Sequence, residues 1–382
     1  IVTVFPFIKN LIYCCYGKLI SLSKKTLSTL FCLKTIKRHF EAILFMKTMQ
    51  QVSFSRPEIE AEAKRLHEKL RHLKFGLAEC VAFAPYTLEI NRLKKQKNAV
   101  ILAHNYQRPE IIYGVADFTA DSLALSKAAQ TTEADMIVFC GVHFMAETAK
   151  ILNPSKKVLL PDLEAGCSLS ESITADDVRE LKKKYPGIPV VTYVNTSAEV
   201  KAESDVVCTS ANAIQIVNAM DSDVVIFLPD EFMAKNLESK TDKKIISGSG
   251  KCIVHEQFTE DQIVSYKKTY PELKVLVHTE CTPGVVKHAD MAGSTSQMQK
   301  YVESTNAKQL MLVTECGMAD MLKARHPEKE FIAPCIICPY MKKNHLENIL
   351  ASLREEKFEI KIEEGVRKKA LKAVQRMLDL SS

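Results

Sequence analysis

KVLLPDLEAGC (157–167), KKIISGSGKC (243–252) and EFIAPCIIC (330–338) each run from a short apolar, β-rich segment into a cysteine. Cys252 follows Cys167 by 85 residues, and Cys338 follows Cys252 by 86. Any one of these cysteines read alone is a small buried hydrophobe. Three in one context at one interval indicate a unit used three times, with one thiol from each copy aimed at a common centre. Three thiolates leave a coordination position open on a metal or cluster, which suits chemistry as well as structure.

The flanking sequence extends this order. Apolar runs with strand character occur at AVILAHN (99–105), MIVFCGV (136–142) and KVLLPD (157–162), then at PVVTYVN (189–195), VVIFLPD (224–230) and KKIISGS (243–249). A third set is KVLVHTE (274–280), QLMLVTE (309–315) and EFIAPC (330–335). Helix-like stretches lie between or beyond them, among them FTADSLALSKAAQ (118–130), TADDVRELKKKY (174–185), TEDQIVSYKKTY (259–270) and STSQMQKYVES (294–304). Strands apolar on both faces, alternating with helices, belong to parallel sheets covered on both sides. The first strands close at His104, Tyr193 and His278, again near the same period. A period this long denotes domain-sized repeats rather than a solenoid. The expected fold is α/β: three similar αβα domains with short parallel sheets around a central, cluster-containing cavity. Expected boundaries are 99–182, 183–268 and 269–345, with a helical region at 46–98 and C-terminal helices at 346–382. In 56–97, Leu66, Leu70, Leu73 and Leu77 form one apolar stripe at helical spacing.

Composition excludes several classes. At 46% hydrophobic and 26% charged residues, the 382-residue chain reads as globular. The longest uncharged run, VVCTSANAIQIVNAM (206–220), is interrupted by Ser, Asn and Gln, so no membrane span is expected. The net charge of +6 is concentrated at one end: residues 1–50 hold eight Lys/Arg and one acid, Glu41. The body is close to neutral, which argues against a nucleic-acid surface. Residues 1–45 read as an atypical extension, with the protein proper beginning at Met46 or Met49. The twelve cysteines lack a secretory start before them, which points to a reducing cytoplasm and to buried, catalytic or metal-bound thiols rather than a disulfide framework.

Polar residues close the apolar strands in pairs two apart: His104 and Tyr106 in HNYQ, Tyr193 and Asn195 in YVNT, His278 and Glu280 in HTE. Residues two apart on an extended segment share a side. One such pair is an ordinary solvated strand end; three equivalent pairs point to a shared cavity beyond the carboxyl ends of the sheets. Ser122 in ADSL, Ser210 in CTSAN, and Ser294 with Thr295 in AGSTSQM each precede a helix-like stretch. They are either plain N-caps or anion-holding hydroxyls at helix starts. SGSGKC (247–252) is not a phosphate-binding P-loop, because Ile245 and Cys252 occupy positions that need Gly and Ser/Thr. Cys335 and Cys338 form a CxxC without a second half to complete a zinc site.

HNYQ, ADFTADSLALS, GVHFMAETAKILNP, LLPDLEAGCSL, YVNTSAEVKAESDVVCTSANA, GSGKCIVHEQF, HTEC, AGSTSQM and CPYMKKN occur in order between about Asn98 and Asn344. Together they resemble the quinolinate synthase family, the A protein of bacterial NAD biosynthesis. The resemblance implies a [4Fe–4S] cluster on Cys167, Cys252 and Cys338. It implies a transferase that condenses iminoaspartate with dihydroxyacetone phosphate to quinolinate, releasing phosphate and water, with a functional link to L-aspartate oxidase. It implies catalytic roles for His278, Glu280 and Tyr106, and substrate contacts from His104, Ser122, Tyr193, Asn195, Ser210, Ser294 and Thr295. Cys281, Cys316 and Cys335 are left as spare thiols or a disulfide switch. The competing readings are a non-catalytic Fe–S or metal-sensing protein, and a thiol–disulfide protein built on Cys335 and Cys338.

Overall fold

β1 (Ala99–His104), the first apolar run after the helical region, lies inside its sheet rather than at an edge, between β2 (Phe118–Ala120) and β3 (Met136–Cys140). The computed structural model describes residues 54–332 and 334–381. The expected extension at 1–45 lies outside the described residues.

β4 (Lys157–Leu159) completes a parallel sheet of order β2-β1-β3-β4. The second sheet, from β5 (Val190–Tyr193), β6 (Val206–Cys208), β7 (Val224–Leu228) and β8 (Lys244–Ser247), has the order β6-β5-β7-β8. The third, from β9 (Lys274–His278), β10 (Met291–Gly293), β11 (Gln309–Val313) and β12 (Glu330–Ile332), has the order β10-β9-β11-β12. The architecture is therefore three similar αβα units with four parallel strands each. The central strands are buried along almost their whole length, as their apolar runs require.

Each unit holds one strand more than the apolar runs indicate. β2, β6 and β10 are three residues long; β2 falls inside a stretch expected to be helical, and the helix begins only at Ser122. Each is fixed by the aspartate before it. Asp117 accepts from the Ile101 amide at 2.8 Å, Asp205 from Val190 at 2.7 Å and Asp290 from Val275 at 2.9 Å. The aspartate returns a backbone bond to the same residue, tying a strand too short to show a period to the central strand.

The cysteines are equivalent in local structure as well as in spacing. Each carbonyl accepts from the amide four residues on: Cys167 from Glu171, Cys252 from Glu256, Cys338 from Lys342. Each cysteine thus opens one helical turn, and seven residues later a capping box opens a ten-residue helix at Thr174, Thr259 and His345. The last helix, Glu364–Asp379, buries Ala370, Ala373, Val374 and Met377 in the main apolar core, which also takes in Ala198 and Val206 of the second unit.

The leucine stripe in 56–97 does not belong to one helix. Helix Arg56–Leu70 ends in a short 3-10 turn, Lys74 takes a left-handed conformation (φ 67°), and Gly76 starts a second helix, Leu77–Gln96. Leu66 and Leu70 are buried, whereas Leu77 is exposed on the far side of the break.

Candidate active site

The six paired residues at the tips of β1, β5 and β9 line one cavity with the three spaced cysteines. His104, Tyr193 and His278 end their strands, and Tyr106, Asn195 and Glu280 follow two residues on. The imidazoles are fixed by their own backbone: His104 Nδ1 accepts from the Tyr106 amide at 3.2 Å, and His278 Nδ1 from the Glu280 amide at 3.4 Å. With Nδ1 accepting, the proton of each neutral ring sits on Nε2. Burial, aided by His278, pushes His104 down to about 3. Burial pushes His278 down to about 4 against the pull of Glu280. Both rings are neutral at pH 7.

The short strands deliver the hydroxyls. Residues Asp121, Thr209 and Ser294 follow β2, β6 and β10 directly, and Ser122, Ser210 and Thr295 come next. Ser122, Ser210 and Thr295 line the cavity, as do Asp121 and Thr209. Ser294 is not among the lining residues: its hydroxyl accepts from the Gln297 amide at 3.2 Å and caps helix Thr295–Ser304. Asn105 Nδ2 donates to Thr295 Oγ1 at 3.0 Å, joining the first unit to the third.

Two lining or adjoining residues had escaped the sequence reading, and they connect the others. His255 Nδ1 lies 2.8 Å from Glu280 Oε2, and its Nε2 lies 2.9 Å from Thr314 Oγ1. Thr314 Oγ1 is 2.6 Å from the Tyr106 hydroxyl. On the other side, the Tyr193 hydroxyl donates to Glu280 Oε1 at 2.5 Å. Tyr106, Thr314, His255, Glu280 and Tyr193 therefore form one unbroken hydrogen-bonded chain, every member buried. Burial opposes ionisation of Glu280, but the His255 and His278 rings and the donors His255 and Tyr193 outweigh it and hold it well below the usual carboxylate range. An ionised Glu280 only accepts, so His255 Nδ1 carries a proton. In the neutral ring Nε2 then accepts from Thr314, which accepts from Tyr106. Burial and the Glu280 charge keep the Tyr106 phenol protonated at rest. The signal for His255 was present as Cys252-x-x-His255, one helical turn in length; Thr314 is the penultimate residue of QLMLVTE (309–315), a run that signals only a strand.

Burial raises all three cavity thiols: Cys167 to about 12, Cys252 with help from the Glu280 charge, and Cys338 as well. The Cys338 turn is held from two units. Glu315 accepts from the Cys338 amide at 3.2 Å and pairs with Lys342 at 3.1 Å, and Gln107 donates to the Met341 carbonyl at 3.0 Å. Cys316 and Cys335 form a disulfide, which leaves Cys338 a free thiol and pairs Cys335 outside the CxxC. Cys281 is a buried free thiol in a separate apolar cluster.

The donor set fits an iron–sulfur cluster: three free thiols from three units reach one cavity, and no other free cysteine among the described residues lines it. Ligand atoms of Cys252, His255 and Glu280 also gather within 4.8 Å. There, however, the 2.8 Å between His255 Nδ1 and Glu280 Oε2 is a hydrogen-bond distance. Two ligands on one tetrahedral ion would stand about 3.3 Å apart, given bonds of about 2.0 Å. The three thiols are the better metal-holding set.

Residues 88–379 match the family model described as Quinolinate synthetase A protein. The chain is 50% identical over 328 residues to a quinolinate synthase of Caulobacter vibrioides (strain NA1000 / CB15N), covering 85% of this chain and 89% of that one. It is 52% identical over 320 residues to quinolinate synthase 2 of Mesorhizobium japonicum, covering 84% and 98%. With a quinolinate synthase of Sinorhizobium fredii the identity is 49% over 324 residues, covering 85% and 90%.

Proposed function

Because the chain belongs to the quinolinate synthetase A protein family, we propose that it condenses iminoaspartate with dihydroxyacetone phosphate, releasing phosphate and water to give quinolinate for NAD. Iminoaspartate would come from L-aspartate oxidase. The reaction would take place in the cytoplasm; no described helix is long and apolar enough to cross a membrane. The reading is carried by the hydrogen-bonded chain from Tyr106 to Tyr193, which borders the same cavity as the three thiols.

Cys167, Cys252 and Cys338 would hold a [4Fe–4S] cluster as thiolates. When bound, such a cluster supplies Lewis acidity at the iron that no cysteine occupies. The remaining chemistry belongs to side chains. Condensation and dehydration require protons to leave carbon and nitrogen and to arrive at leaving oxygens. Tyr106 passes its proton to Thr314 and Thr314 passes its own to His255 Nε2, while the His255 Nδ1–H stays hydrogen-bonded to the ionised Glu280, which stabilises the imidazolium. The outcome is a Tyr106 phenolate facing the cavity and a His255 imidazolium beside an ionised Glu280, with one proton displaced along two bonds. The phenolate serves as the base; once Tyr106 has given the abstracted proton to a leaving oxygen, the chain runs backwards to reset it. The logic is that of a hydroxyl–imidazole–carboxylate triad with a phenol added at its head.

His278, neutral and with Nε2–H free of its backbone bond, donates to a developing oxyanion. His104 does the same from the first unit. Asn195 and Tyr193 orient the carbon backbone, and Ser122, Ser210 and Thr295 hold the carboxylates and phosphate by hydroxyl donation. Ser294 contributes by capping the helix that presents Thr295. Tyr340 and Met341 complete the lining of the cavity.

The decisive test is anaerobic purification with iron and sulfide counted, followed by a quinolinate assay on the two substrates. Quinolinate formation is expected in a protein carrying about four irons per chain. A protein that carries iron but forms no quinolinate would refute the activity.

A further inference from the structure

The three units differ in the residue that stands just past each central strand. The residues following β1, β5 and β9 are Asn105, Val194 and Thr279. Asn105 of the first unit spans the gap to the third and bonds Thr295. Thr279 of the third unit occupies the matching place opposite Ser210 of the second, and there the gap stays open. Both residues line a separate side pocket.

That pocket has an inner and an outer end. Ser210 lines both it and the central cavity, so the two adjoin there. Thr279 is 9% exposed, and its buried Oγ1 has no hydrogen-bond partner. Its carbonyl is satisfied separately: Asn236 Nδ2 donates to the carbonyls of Thr279 at 2.9 Å and Cys281 at 2.8 Å. Met233, Leu237 and Ala292 form apolar walls, and exposed Lys240 and Gln297 stand at the rim. Lys240 has no ion pair among the described residues. A buried hydroxyl without a partner is costly, so the site gains when a ligand oxygen arrives.

We propose that this side pocket is a second, anion-holding site, which receives the orthophosphate released in the central cavity by way of Ser210 and passes it to solvent between the second and third units. The inference rests on the reading that the reaction releases phosphate. The chemistry matches a small oxyanion: Ser210 and Thr279 hydroxyls and the Gln297 amide donate, and Lys240 supplies the charge at the exit. An apolar ligand would leave Thr279 unpaired, and a cation would be repelled by Lys240.

Orthophosphate itself is the probe, titrated calorimetrically into the anaerobically purified protein with and without saturating quinolinate. Binding is expected to persist with quinolinate present. It should weaken about tenfold in Lys240→Gln and in Thr279→Val, as loss of one charge-assisted or buried hydrogen bond dictates, with quinolinate affinity unchanged. Displacement of orthophosphate by quinolinate, or wild-type phosphate affinity in both variants, overturns the proposal. Lys240 is exposed, so its variant folds. If quinolinate neither forms nor binds, the activity reading fails, while the two variants still decide whether the anion site exists.

Discussion

His255 Nε2 lies 2.9 Å from Thr314 Oγ1, and this contact joins the second unit's cysteine turn to the tip of β11 in the third unit. It also divides the buried chain into a phenol end and a carboxylate end. Removing the Thr314 hydroxyl without changing side-chain volume isolates its contribution. Thr314→Val is expected to keep iron content and melting temperature close to wild type and to lower kcat by about 10²–10³ with little change in KM. A variant with full kcat would show that Tyr106 does not use this route.

Glu280→Gln leaves a neutral acceptor in the same place and removes the charge that stabilises a protonated His255. Iron and sulfide should remain bound while turnover falls below detection. Loss of the iron together with the activity would instead assign Glu280 to holding the Cys252 turn, since His255 also touches Cys252 Sγ at 3.2 Å.

Each cavity thiol is expected to be indispensable. Cys167→Ala, Cys252→Ala and Cys338→Ala should each lose the cluster absorbance and the quinolinate activity. Cys335→Ser breaks only the bond to Cys316, whose sequence separation is 19 residues. It should retain iron and activity and lose about 3 kcal/mol of stability, as a cross-link over a loop of that order contributes. Iron loss in Cys335→Ser would move the ligand assignment within the CxxC.

Stability should fall as the medium is acidified below the ordinary histidine value of 6.5. In the fold His104 titrates at about 3 and His278 at about 4. Between those values and 6.5 the unfolded chain binds more protons than the folded one, so unfolding free energy rises with pH across that window. The penalty begins at 6.5, grows on acidification, and is complete below the folded values, at a few kcal/mol per ring at most. Urea midpoints measured from pH 7.5 to 4.5 should show this slope, and His104→Gln or His278→Gln should flatten it. An unchanged slope in both variants would place the acid sensitivity elsewhere.

The three-unit architecture was legible because Cys167, Cys252 and Cys338 recur at one interval and because the buried central strands are unbroken apolar runs. β2, β6 and β10 were not legible. Three residues cannot display a period of two, and what marks them is a repeated pattern of aspartate, three residues and a hydroxyl or acid: Asp117 to Asp121, Asp205 to Thr209, Asp290 to Ser294. The paired strand-tip residues were readable from local alternation. His255 and Thr314 were not, because each takes its meaning from a partner in another unit: His255 from Glu280 and Thr314, and Thr314 from Tyr106. Spacing along the chain reports local geometry and is silent on which tips meet across an axis.

A frame of three matching units would, left uniform, offer three identical walls to whatever entered it, and only a molecule with its own trigonal shape would fit. The place two residues beyond each central strand breaks that sameness: phenol in Tyr106, amide in Asn195, carboxylate in Glu280. An unsymmetrical guest can then be held in one orientation by a nearly symmetrical host. Exchanging residues among these three addresses would turn the guest within the cavity while leaving the scaffold untouched.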